Sequence, residues 1–208
     1  MTGATDIGTR SPVRALAPLR NFLALDLDGV FVDWTRDCFA PAGERVLGRK
    51  LPHLREDSYD LRLQLGITSA EHDRIWHSEE LLHRIRFAPV MNDKVRQLLE
   101  QPHCFITSRS TSPLERRNAD AIRRATVEWV RRELGSPGDV HFVPPSEKAK
   151  LALELGATLA YEDKPETVEQ LTAAGIRVRM PLYRYNRHLS SRPLVFAVHW
   201  NRRINPAA

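Results

Sequence analysis

Two aspartates separated by one leucine, Asp26 and Asp28, follow a short apolar run and lead directly into Gly29. If the run is a strand, its side chains alternate, so both carboxylates project to the same side at its carboxyl end. Open α/β sheets bind their ligands at that end, and acids presented in this way suit phosphate chemistry. A strand that merely ends in an acidic turn is the structural alternative. An EF-hand loop is excluded, because its glycine stands sixth, whereas here the glycine stands fourth.

Three further groups of polar residues follow predicted strands later in the chain. Thr107 and Ser108 end the second strand with hydroxyls that can hydrogen-bond a phosphoryl oxygen. Lys148 lies near the start of the helix after the third strand, where its ammonium can neutralise phosphate charge. Glu162 and Asp163 close the fourth strand with the oxygen ligands that Mg²⁺ prefers. Each group alone is ordinary turn or surface chemistry, but in a parallel sheet all of them collect at one edge.

Strand and helix patterns alternate along the chain after residue 92. The predicted strands after the first one are 103–108, 140–143, 158–161 and 176–180. The predicted helices are 93–100, a long amphipathic helix that stops at Gly135, 147–155 and 165–175. Repeated strand and helix units of this kind predict an α/β fold, a doubly wound parallel sheet covered by helices on both faces.

Between the first strand and the rest of the chain, the pattern is helical. Thr68 and Glu71 have the spacing of a capping box, and apolar residues then recur at helical spacing from Ile75 to Ile85. This stretch predicts a small helical cap inserted after the first strand. We predict a catalytic core of residues 21–33 and 90–208, a helical cap of residues 34–89 and a disordered leader of residues 1–20.

The composition is that of an ordinary globular domain. Of the 208 residues, 42% are hydrophobic and 27% are charged, and no apolar stretch is long enough to span a bilayer. Two cysteines are too few for a disulfide framework, so we expect a reducing, cytoplasmic location without membrane attachment. The net charge of +5 suits anionic ligands, but the arginines follow helix faces without interleaved aromatics, so we expect no stable nucleic-acid complex.

The polar groups, in this order and each after a strand, resemble the motifs of the haloacid dehalogenase superfamily of phosphohydrolases. The resemblance implies a Rossmann-like core with the cap inserted after its first strand. It also implies that Asp26 attacks phosphorus and forms an aspartyl-phosphate, while Asp28 protonates the leaving alcohol and later takes a proton from water. The presence of both acids argues against a member that has lost its activity.

The same resemblance implies a Mg²⁺ cofactor, because two carboxylates would otherwise repel the phosphate. Asp26, the main-chain carbonyl of Asp28 and Asp163 would hold the cation, with Glu162 as an alternative or outer ligand. A second set of residues would bind the phosphoryl group as charge develops on it. This set consists of Thr107, Ser108, Arg109 and Lys148.

Within the superfamily, the chain resembles the 5′(3′)-deoxyribonucleotidases. Its insertion lies between the first and second motifs, as the small helical cap of that family does. Trp34 and Trp76 stand where the family has aromatic residues that contact the nucleobase. Trp129 with Val130, and the sequence Asn-Arg-His-Leu at 186–189, resemble further motifs of the family. This resemblance covers most of residues 22–200 and implies nucleoside monophosphates as substrates, deoxyribonucleotides above all.

Three positions depart from the deoxyribonucleotidase pattern. Residues 146–148 read Ser-Glu-Lys instead of Arg-Asp-Lys, which removes one cation near the phosphate. Arg109 stands where the family usually has proline, and it could replace that cation. The last motif is Glu162 and Asp163 instead of two aspartates. These differences bear on the identity of the substrate more than on the type of reaction.

Several readings of the sequence stay open. The leading one is a Mg²⁺-dependent phosphomonoesterase that acts on a small molecule, a nucleotide by the resemblance, with a homodimer left open. The same core could serve another phosphorylated metabolite or polynucleotide ends, and a nucleotide-binding module without turnover is the non-enzymatic alternative. Trp34 and Trp76 could instead pack inside the cap. We expect the cap residues His72, His77 and His83 to be surface or packing residues, because their spacing does not stack metal ligands on a helix face.

Overall fold

Six parallel strands form one sheet in the computed structural model, which describes residues 22–52, 57–90, 93–111, 118–136 and 138–199. The predicted leader, residues 1–20, lies outside the described residues. Along the chain, the strands are β1 (Leu23–Leu25), β2 (His103–Thr107), β3 (Val140–Phe142), β4 (Leu159–Tyr161), β5 (Arg177–Pro181) and β6 (Val195–Val198). In space, their order is β3-β2-β1-β4-β5-β6.

The first strand of the chain lies in the middle of the sheet. β1 pairs with β2 on one side and with β4 on the other, so that Leu25 lies opposite both Phe105 and Tyr161. The direction of winding reverses between these two neighbours, and such a reversal leaves a crevice at the carboxyl ends of the strands. The predicted doubly wound parallel α/β fold is confirmed.

Seven α-helices connect the strands of the described chain. They are α1 (Ala40–Leu47), α2 (Leu61–Leu65), α3 (Ser69–Trp76), α4 (Glu79–Phe87), α5 (Ala119–Trp129), α6 (Pro145–Glu154) and α7 (Pro165–Ala173). Trp34–Phe39 and Val130–Leu134 are π-helical, whereas Asp93–Glu100 and Arg187–Leu189 are 3₁₀ helices. No helix in these ranges combines the length and apolar character needed to cross a membrane.

Alternate side chains of the strands belong to two apolar clusters, one on each face of the sheet. Leu23 and Leu25 of β1 point into the cluster that contains α5 and the helices of the insertion. Ala24 points into the opposite cluster, which α6 and α7 cover. Helices therefore cover both faces, as the near-continuous apolar character of the strands predicts.

The helices α1–α4 are inserted between β1 and β2, and α4 packs against α5. Trp129 of α5 is fully buried, and its Nε1 donates to the carbonyl of Ala88, just after α4 (2.7 Å). Side chains of the insertion, such as Phe39 and Ile85, belong to the same apolar cluster as β1. The division of the chain into a separate core and cap stays a prediction.

The sixth strand, β6, was not among the predicted elements. It lies at the edge of the sheet, where Val195 is buried while Phe196 and Ala197 are exposed. An edge strand with one neighbour lacks the continuous burial that marks β1 or β2 in the sequence. β6 follows a tight segment in which Leu194 has a positive φ of 65°.

Candidate active site

The carboxyl ends of β1, β2 and β4 bring predicted site residues to one edge of the sheet. Asp26 directly follows β1, and its main-chain N–H donates to the carbonyl of Tyr161 at the end of β4 (3.0 Å). Glu162 and Asp163 come next after Tyr161, and Thr107 is the last residue of β2. Because these parallel strands end level with one another, residues far apart in sequence meet here.

Asp26, Glu162 and Asp163 form a buried acidic cluster, in which one carboxylate oxygen of each lies within 4.8 Å of the others. Lys148 reaches the cluster from the first turns of α6, which begins at Pro145. The Nζ of Lys148 lies 2.9 Å from Asp26 Oδ1 and 2.9 Å from Glu162 Oε2. One ammonium cannot balance three carboxylates when all of them are ionised, so the buried cluster favours the binding of protons or of a further cation.

The two acids after β4 differ in how their oxygens are satisfied. Glu162 accepts hydrogen bonds on both oxygens, from Lys148 Nζ (2.9 Å) and from the main-chain N–H of Lys164 (3.0 Å). Asp163 Oδ2 accepts from the hydroxyl of Tyr185, whereas its Oδ1 is buried and has no hydrogen-bond partner among the described residues. Buried polar atoms rarely stay without a partner, so Asp163 has a free coordination position that Glu162 lacks.

The acidic cluster fits a hard divalent cation. Its donors are carboxylate oxygens within 4.8 Å of one another, and Asp163 Oδ1 has no hydrogen-bond partner among the described residues. Mg²⁺ prefers such oxygen donors and is commonly held by one or two carboxylates. Asp26 and Asp163 are therefore the side chains best placed to hold Mg²⁺, and Glu162 is better described as a partner of Lys148.

Burial shifts the titration of this cluster. Burial, reinforced by the charge of Glu162, raises the pKa of Asp26 to about 7. The pKa of Asp163 is raised well above its usual range for the same two reasons. Burial lowers the pKa of Lys148, but the carboxylates of Asp26 and Glu162 outweigh burial and raise it. Without a cation, the cluster therefore tends to hold protons near neutral pH.

These shifts predict how stability depends on pH. The pKa of Asp26 rises from 3.8 to about 7 on folding, so its stabilising contribution is complete below about pH 4 and is lost as the pH rises through about 7. A cation that binds the carboxylate reverses this loss. We therefore expect the gain in melting temperature caused by Mg²⁺ to grow between about pH 5 and pH 8.

Thermal unfolding across this pH range, with and without Mg²⁺, checks the prediction. The control is Asp26→Asn, which has no titrating group at position 26, so the growth of its Mg²⁺ effect should be smaller and should come from Asp163, whose pKa is also raised. A Mg²⁺ effect on melting temperature that stays constant or shrinks with rising pH would contradict the assignment of the cluster as a cation site.

The carboxylate of Asp28 is not part of the cluster and pairs with Arg109. Arg109 Nε lies 3.1 and 3.0 Å from the two oxygens of Asp28, and Nη2 also donates to Oδ1. Burial raises the pKa of Asp28, and the guanidinium of Arg109 opposes that rise. The side chain of Asp28 is 22% exposed, whereas that of Arg109 is 2% exposed. The structure thus separates the two aspartates into one that belongs to the acidic cluster and one that pairs with an arginine.

The two hydroxyls predicted to bind phosphate, those of Thr107 and Ser108, differ in whether they line the cavity. Thr107 is fully buried, does not line the cavity described below, and accepts a hydrogen bond on Oγ1 from the main-chain N–H of Arg109 (3.3 Å). Ser108 does line that cavity, and its Oγ is buried without a hydrogen-bond partner among the described residues. Ser108 therefore has the hydroxyl that is free to bind an added oxygen.

The acids open onto a cavity of about 580 Å³. Asp26, Asp28, Ser108, Lys148 and Asp163 line its polar part. Its aromatic lining comes from both the insertion and the residues after β5, namely Trp34, Tyr59, His72, Trp76, Tyr183 and Tyr185. The volume is within the range of pockets that bind small molecules.

Trp34 and Trp76 lie side by side in this cavity. Their ring centroids are 5.7 Å apart, with the planes tilted by 53°. Trp76 is also part of the apolar cluster, so it both packs inside the insertion and lines the cavity. His72 stacks on Trp76 with its ring centroid 5.6 Å away. His72 packs as expected, but it also lines the cavity, which its spacing in the sequence did not indicate.

The residues after β5 that support the acidic cluster were not predicted from the sequence. The hydroxyl of Tyr185 donates to Asp163, and the hydroxyl of Tyr183 donates to the carbonyl of Gly29 (2.8 Å). Asn186 is fully buried, donates to the carbonyls of Asp163 (2.8 Å) and Pro181 (2.9 Å), and accepts from the main-chain N–H of Tyr183. The sequence at 186–189 resembles a deoxyribonucleotidase motif, but no periodicity or spacing indicates that this segment holds the loop of Asp163.

Gly29 allows the two acidic loops to approach each other. Its φ is +73°, a conformation that residues with a Cβ rarely adopt, and an added Cβ would collide with the carboxylate of Asp163. The glycine turn after Asp28 is therefore required both by the backbone conformation and by the space that Asp163 occupies.

Comparison with known proteins places the fold. No protein-family model matches this chain, and no curated protein sequence matches it. A hydrolase of the haloacid dehalogenase-like family from Streptococcus pneumoniae is 15% identical, with a TM-score of 0.53, and the alignment covers 85% of this chain and 93% of that one. A candidate phosphoglycolate phosphatase from Lactobacillus plantarum is 13% identical, with a TM-score of 0.48, over 77% of this chain and 85% of that one. The chain therefore shares its fold with a haloacid dehalogenase-like hydrolase.

Proposed function

We propose that this chain is a Mg²⁺-dependent phosphomonoesterase of the haloacid dehalogenase superfamily that hydrolyses nucleoside monophosphates. The observation that carries the proposal is the buried acidic cluster beside Lys148, at the carboxyl edge of the sheet and open to a cavity that Asp28 also lines. The shared fold with a haloacid dehalogenase-like hydrolase supports the superfamily. The motif order Asp26 and Asp28, Thr107, Lys148, then Asp163 supports the reaction type.

Asp26 is the nucleophile in this proposal. One of its carboxylate oxygens forms a bond to phosphorus, and the bond between phosphorus and the ester oxygen of the substrate breaks, which leaves an aspartyl-phosphate. Asp28 gives its proton to the departing ester oxygen. In the second step, water attacks phosphorus while Asp28 takes a proton from that water, and the bond between Asp26 and phosphorus breaks. The products are the alcohol and inorganic phosphate, and both aspartates return to their starting states.

Asp26 and Asp163, with the main-chain carbonyl of Asp28, would hold the Mg²⁺ ion. When bound, the ion neutralises phosphate charge and so allows an anionic nucleophile to approach an anionic substrate. Lys148 is held against Asp26, where its ammonium can bind the phosphoryl oxygens as their charge develops (Nζ to Asp26 Oδ1, 2.9 Å). Ser108 lines the cavity and can donate its hydroxyl to the same group.

The aromatic part of the cavity supports a substrate with a planar ring. Trp34 and Trp76 line the same cavity as Asp26 and Asp28, so a phosphate at the acids could carry a base that contacts these rings. Stacking on aromatic side chains binds any nucleobase, because every base has a π face. The deoxyribonucleotidase resemblance favours deoxyribonucleotides among nucleotide substrates.

A substrate screen with controlled metal content tests the function. We expect purified protein to release phosphate from nucleoside monophosphates in Mg²⁺, to lose this activity to background with a chelator, and to regain it when Mg²⁺ is restored. Sugar phosphates and 3′- or 5′-phosphorylated oligonucleotides are included as competing substrates. Turnover that survives chelation would contradict the cation role of Asp163. A preference for sugar phosphates or oligonucleotide ends would show that nucleoside monophosphates are not the substrates.

Replacing Trp76 with alanine tests the base pocket. If the ring binds a base, we expect kcat/KM for a nucleoside monophosphate to fall by about tenfold or more, the effect of losing about 1–3 kcal/mol of stacking. The rate on a short alkyl phosphate should change little, because that substrate has no ring. Trp34→Ala is a less selective test, because Trp34 also covers Arg109 (4.8 Å from the guanidinium carbon to the ring centroid), so we expect it to slow both the nucleotide and the alkyl phosphate.

Trp129→Ala is the matched control, because this tryptophan is fully buried and does not line the cavity. Removing it should lower stability by about 3–5 kcal/mol and affect both substrates alike. Parallel losses on both substrates in Trp76→Ala, together with a lowered melting temperature, would assign Trp76 to packing instead.

A further inference from the structure

Arg109 is a buried arginine whose contacts join three parts of the molecule. Its Nε and Nη2 donate to both oxygens of Asp28, and its Nη1 donates to Thr126 Oγ1 of α5 (3.2 Å). Its guanidinium carbon lies 4.8 Å from the ring centroid of Trp34 in the insertion. The arginine therefore contacts the acid after β1, a helix that covers the sheet, and an aromatic residue of the cavity.

The geometry of these contacts fixes the guanidinium group. A planar fork matches both oxygens of a carboxylate, and a buried arginine needs such a partner because an unpaired buried charge is costly. Thr126 has no exposed surface, so its hydroxyl provides a fixed acceptor on the far side of the fork. All the described hydrogen bonds to the side chain of Asp28 come from Arg109. The position of the Asp28 carboxylate thus depends on Arg109.

We propose that Arg109 is the positioning residue of Asp28, which it holds in place for proton transfer to the leaving group. This inference rests on the proposed function. It assigns to Arg109 a different role from the phosphate binding expected from the sequence, because each of its three nitrogens already donates a hydrogen bond to Asp28 or Thr126, although two of its five N–H groups are not used in these bonds. Thr126 and Trp34 are then the residues that keep Arg109 itself in place.

Asp28 can give and take back its proton while Arg109 stays positively charged throughout. A protonated Asp28 can accept from Arg109 on its carbonyl oxygen while its O–H donates to the ester oxygen of the substrate. As the bond from phosphorus to that ester oxygen breaks, the proton moves to the oxygen, and Asp28 becomes a carboxylate. Arg109 can then bond both oxygens, which is the arrangement in this structure. In the second step, the oxygen of a water molecule attacks phosphorus, and that water gives a proton to Asp28.

The leaving group of the substrate distinguishes positioning from phosphate binding. An alkyl phosphate releases a poor leaving group and needs the proton from Asp28, whereas a nitrophenyl phosphate releases a stable anion and needs it little. General acid catalysis of this kind contributes about 10²–10⁴-fold. Loss of a phosphate ligand, by contrast, would slow both substrates to the same degree, because both present the same phosphoryl group.

The experiment compares single-turnover phosphorylation rates and kcat/KM of Arg109→Lys and wild type on an alkyl phosphate and on nitrophenyl phosphate. Lysine keeps the charge but loses the fork. We expect the rate of phosphoryl transfer from the alkyl phosphate to fall by about 10²-fold or more and that from nitrophenyl phosphate to change by less than about threefold. Adding guanidinium ions at millimolar concentration to Arg109→Ala should restore part of the rate on the alkyl phosphate.

Arg123→Lys is the matched control. Arg123 also donates to a hydroxyl, Ser110 Oγ (3.0 Å), and its guanidinium carbon lies 5.6 Å from the ring centroid of Phe142, but it does not line the cavity. Its rates should match wild type on both substrates. If Arg109→Ala does not fold, Thr126→Val removes one hydrogen bond to Arg109 and should show the same selectivity for the alkyl substrate, to a smaller degree.

The outcomes separate this proposal from the proposed function. Equal losses on both substrates, or an unchanged rate on the alkyl phosphate in Arg109→Lys, would overturn the positioning role while leaving the phosphatase in place. A wild-type protein without turnover on any phosphomonoester would overturn the function and, with it, the role of Arg109.

Discussion

Replacing Asp26 with asparagine is expected to lower phosphatase kcat by roughly 10⁴-fold or more while the chain stays folded. The amide keeps the shape of the carboxylate but cannot attack phosphorus as an anion, and it is a poorer ligand for a cation. Folding should persist because Lys148 keeps Glu162 as its partner (2.9 Å), and the cluster loses one of its three buried carboxyl groups. The measurements are kcat on a nucleoside monophosphate in Mg²⁺ and the melting temperature.

The control for this substitution is Asp73→Asn. Asp73 is an aspartate of α3 whose side chain is 49% exposed and which does not line the cavity, so its replacement should leave kcat near the wild-type value. Near wild-type activity in Asp26→Asn would rule out the aspartyl-phosphate route. A metal-free Asp26→Asn protein should also be at least as stable as wild type at about pH 8, since the group that loses a proton there is gone.

Replacing Lys148 with methionine is expected to destabilise the protein by about 3–5 kcal/mol at neutral pH without a cation. The substitution keeps the length of the side chain but removes the ammonium that lies 2.9 Å from both Asp26 and Glu162. The buried carboxylates would then repel one another without compensation. Activity should fall as well, because the ammonium is the cation placed to bind the phosphoryl group. Chemical denaturation and kcat measure the two effects.

Lys150→Met tests whether any lysine of α6 would behave in this way. Lys150 lies on the same helix with a side chain that is 78% exposed, and its Nζ lies 3.9 Å from Glu154, so its removal should change stability by less than about 0.5 kcal/mol. The loss in Lys148→Met should shrink at about pH 5, where the acids can bind protons instead. A loss no larger than that of Lys150→Met would show that the cluster does not depend on Lys148.

Much of the site could be predicted because parallel strands end at a common edge. Asp26, Lys148 and Asp163 are far apart in sequence, yet each follows a strand of the same sheet, so the strand pattern alone indicated that they meet. The doubly wound fold followed from the same alternation of strands and helices. The type of helix could not be predicted in the same way. The helix predicted at 93–100 is a 3₁₀ helix, because apolar spacing does not distinguish hydrogen bonding to the third residue from hydrogen bonding to the fourth.

Contacts between side chains of different loops could not be predicted. Arg109 and Asp28 are separated by 81 residues, and no periodicity in the sequence indicates that an arginine after β2 pairs with the acid after β1. The same holds for Tyr185 and Asn186, which approach Asp163 from a loop beyond β5. Such contacts depend on the tertiary positions of loops, whereas strand and helix patterns are local properties of the chain.

The position of β1 has a consequence for the order in which the molecule can be assembled during synthesis. β1 leaves the ribosome before the other five described strands but needs β2 and β4 on its two sides, and the loop of Asp163 needs Tyr185 and Asn186, which are made after β5. A nascent chain that ends before residue 183 contains five of the six strands and all the acids, yet it lacks the hydroxyl and amide groups that hold Asp163. The proposed site is therefore complete only after β5 has been made, when Tyr185 and Asn186 join the acids that follow β1 and β4.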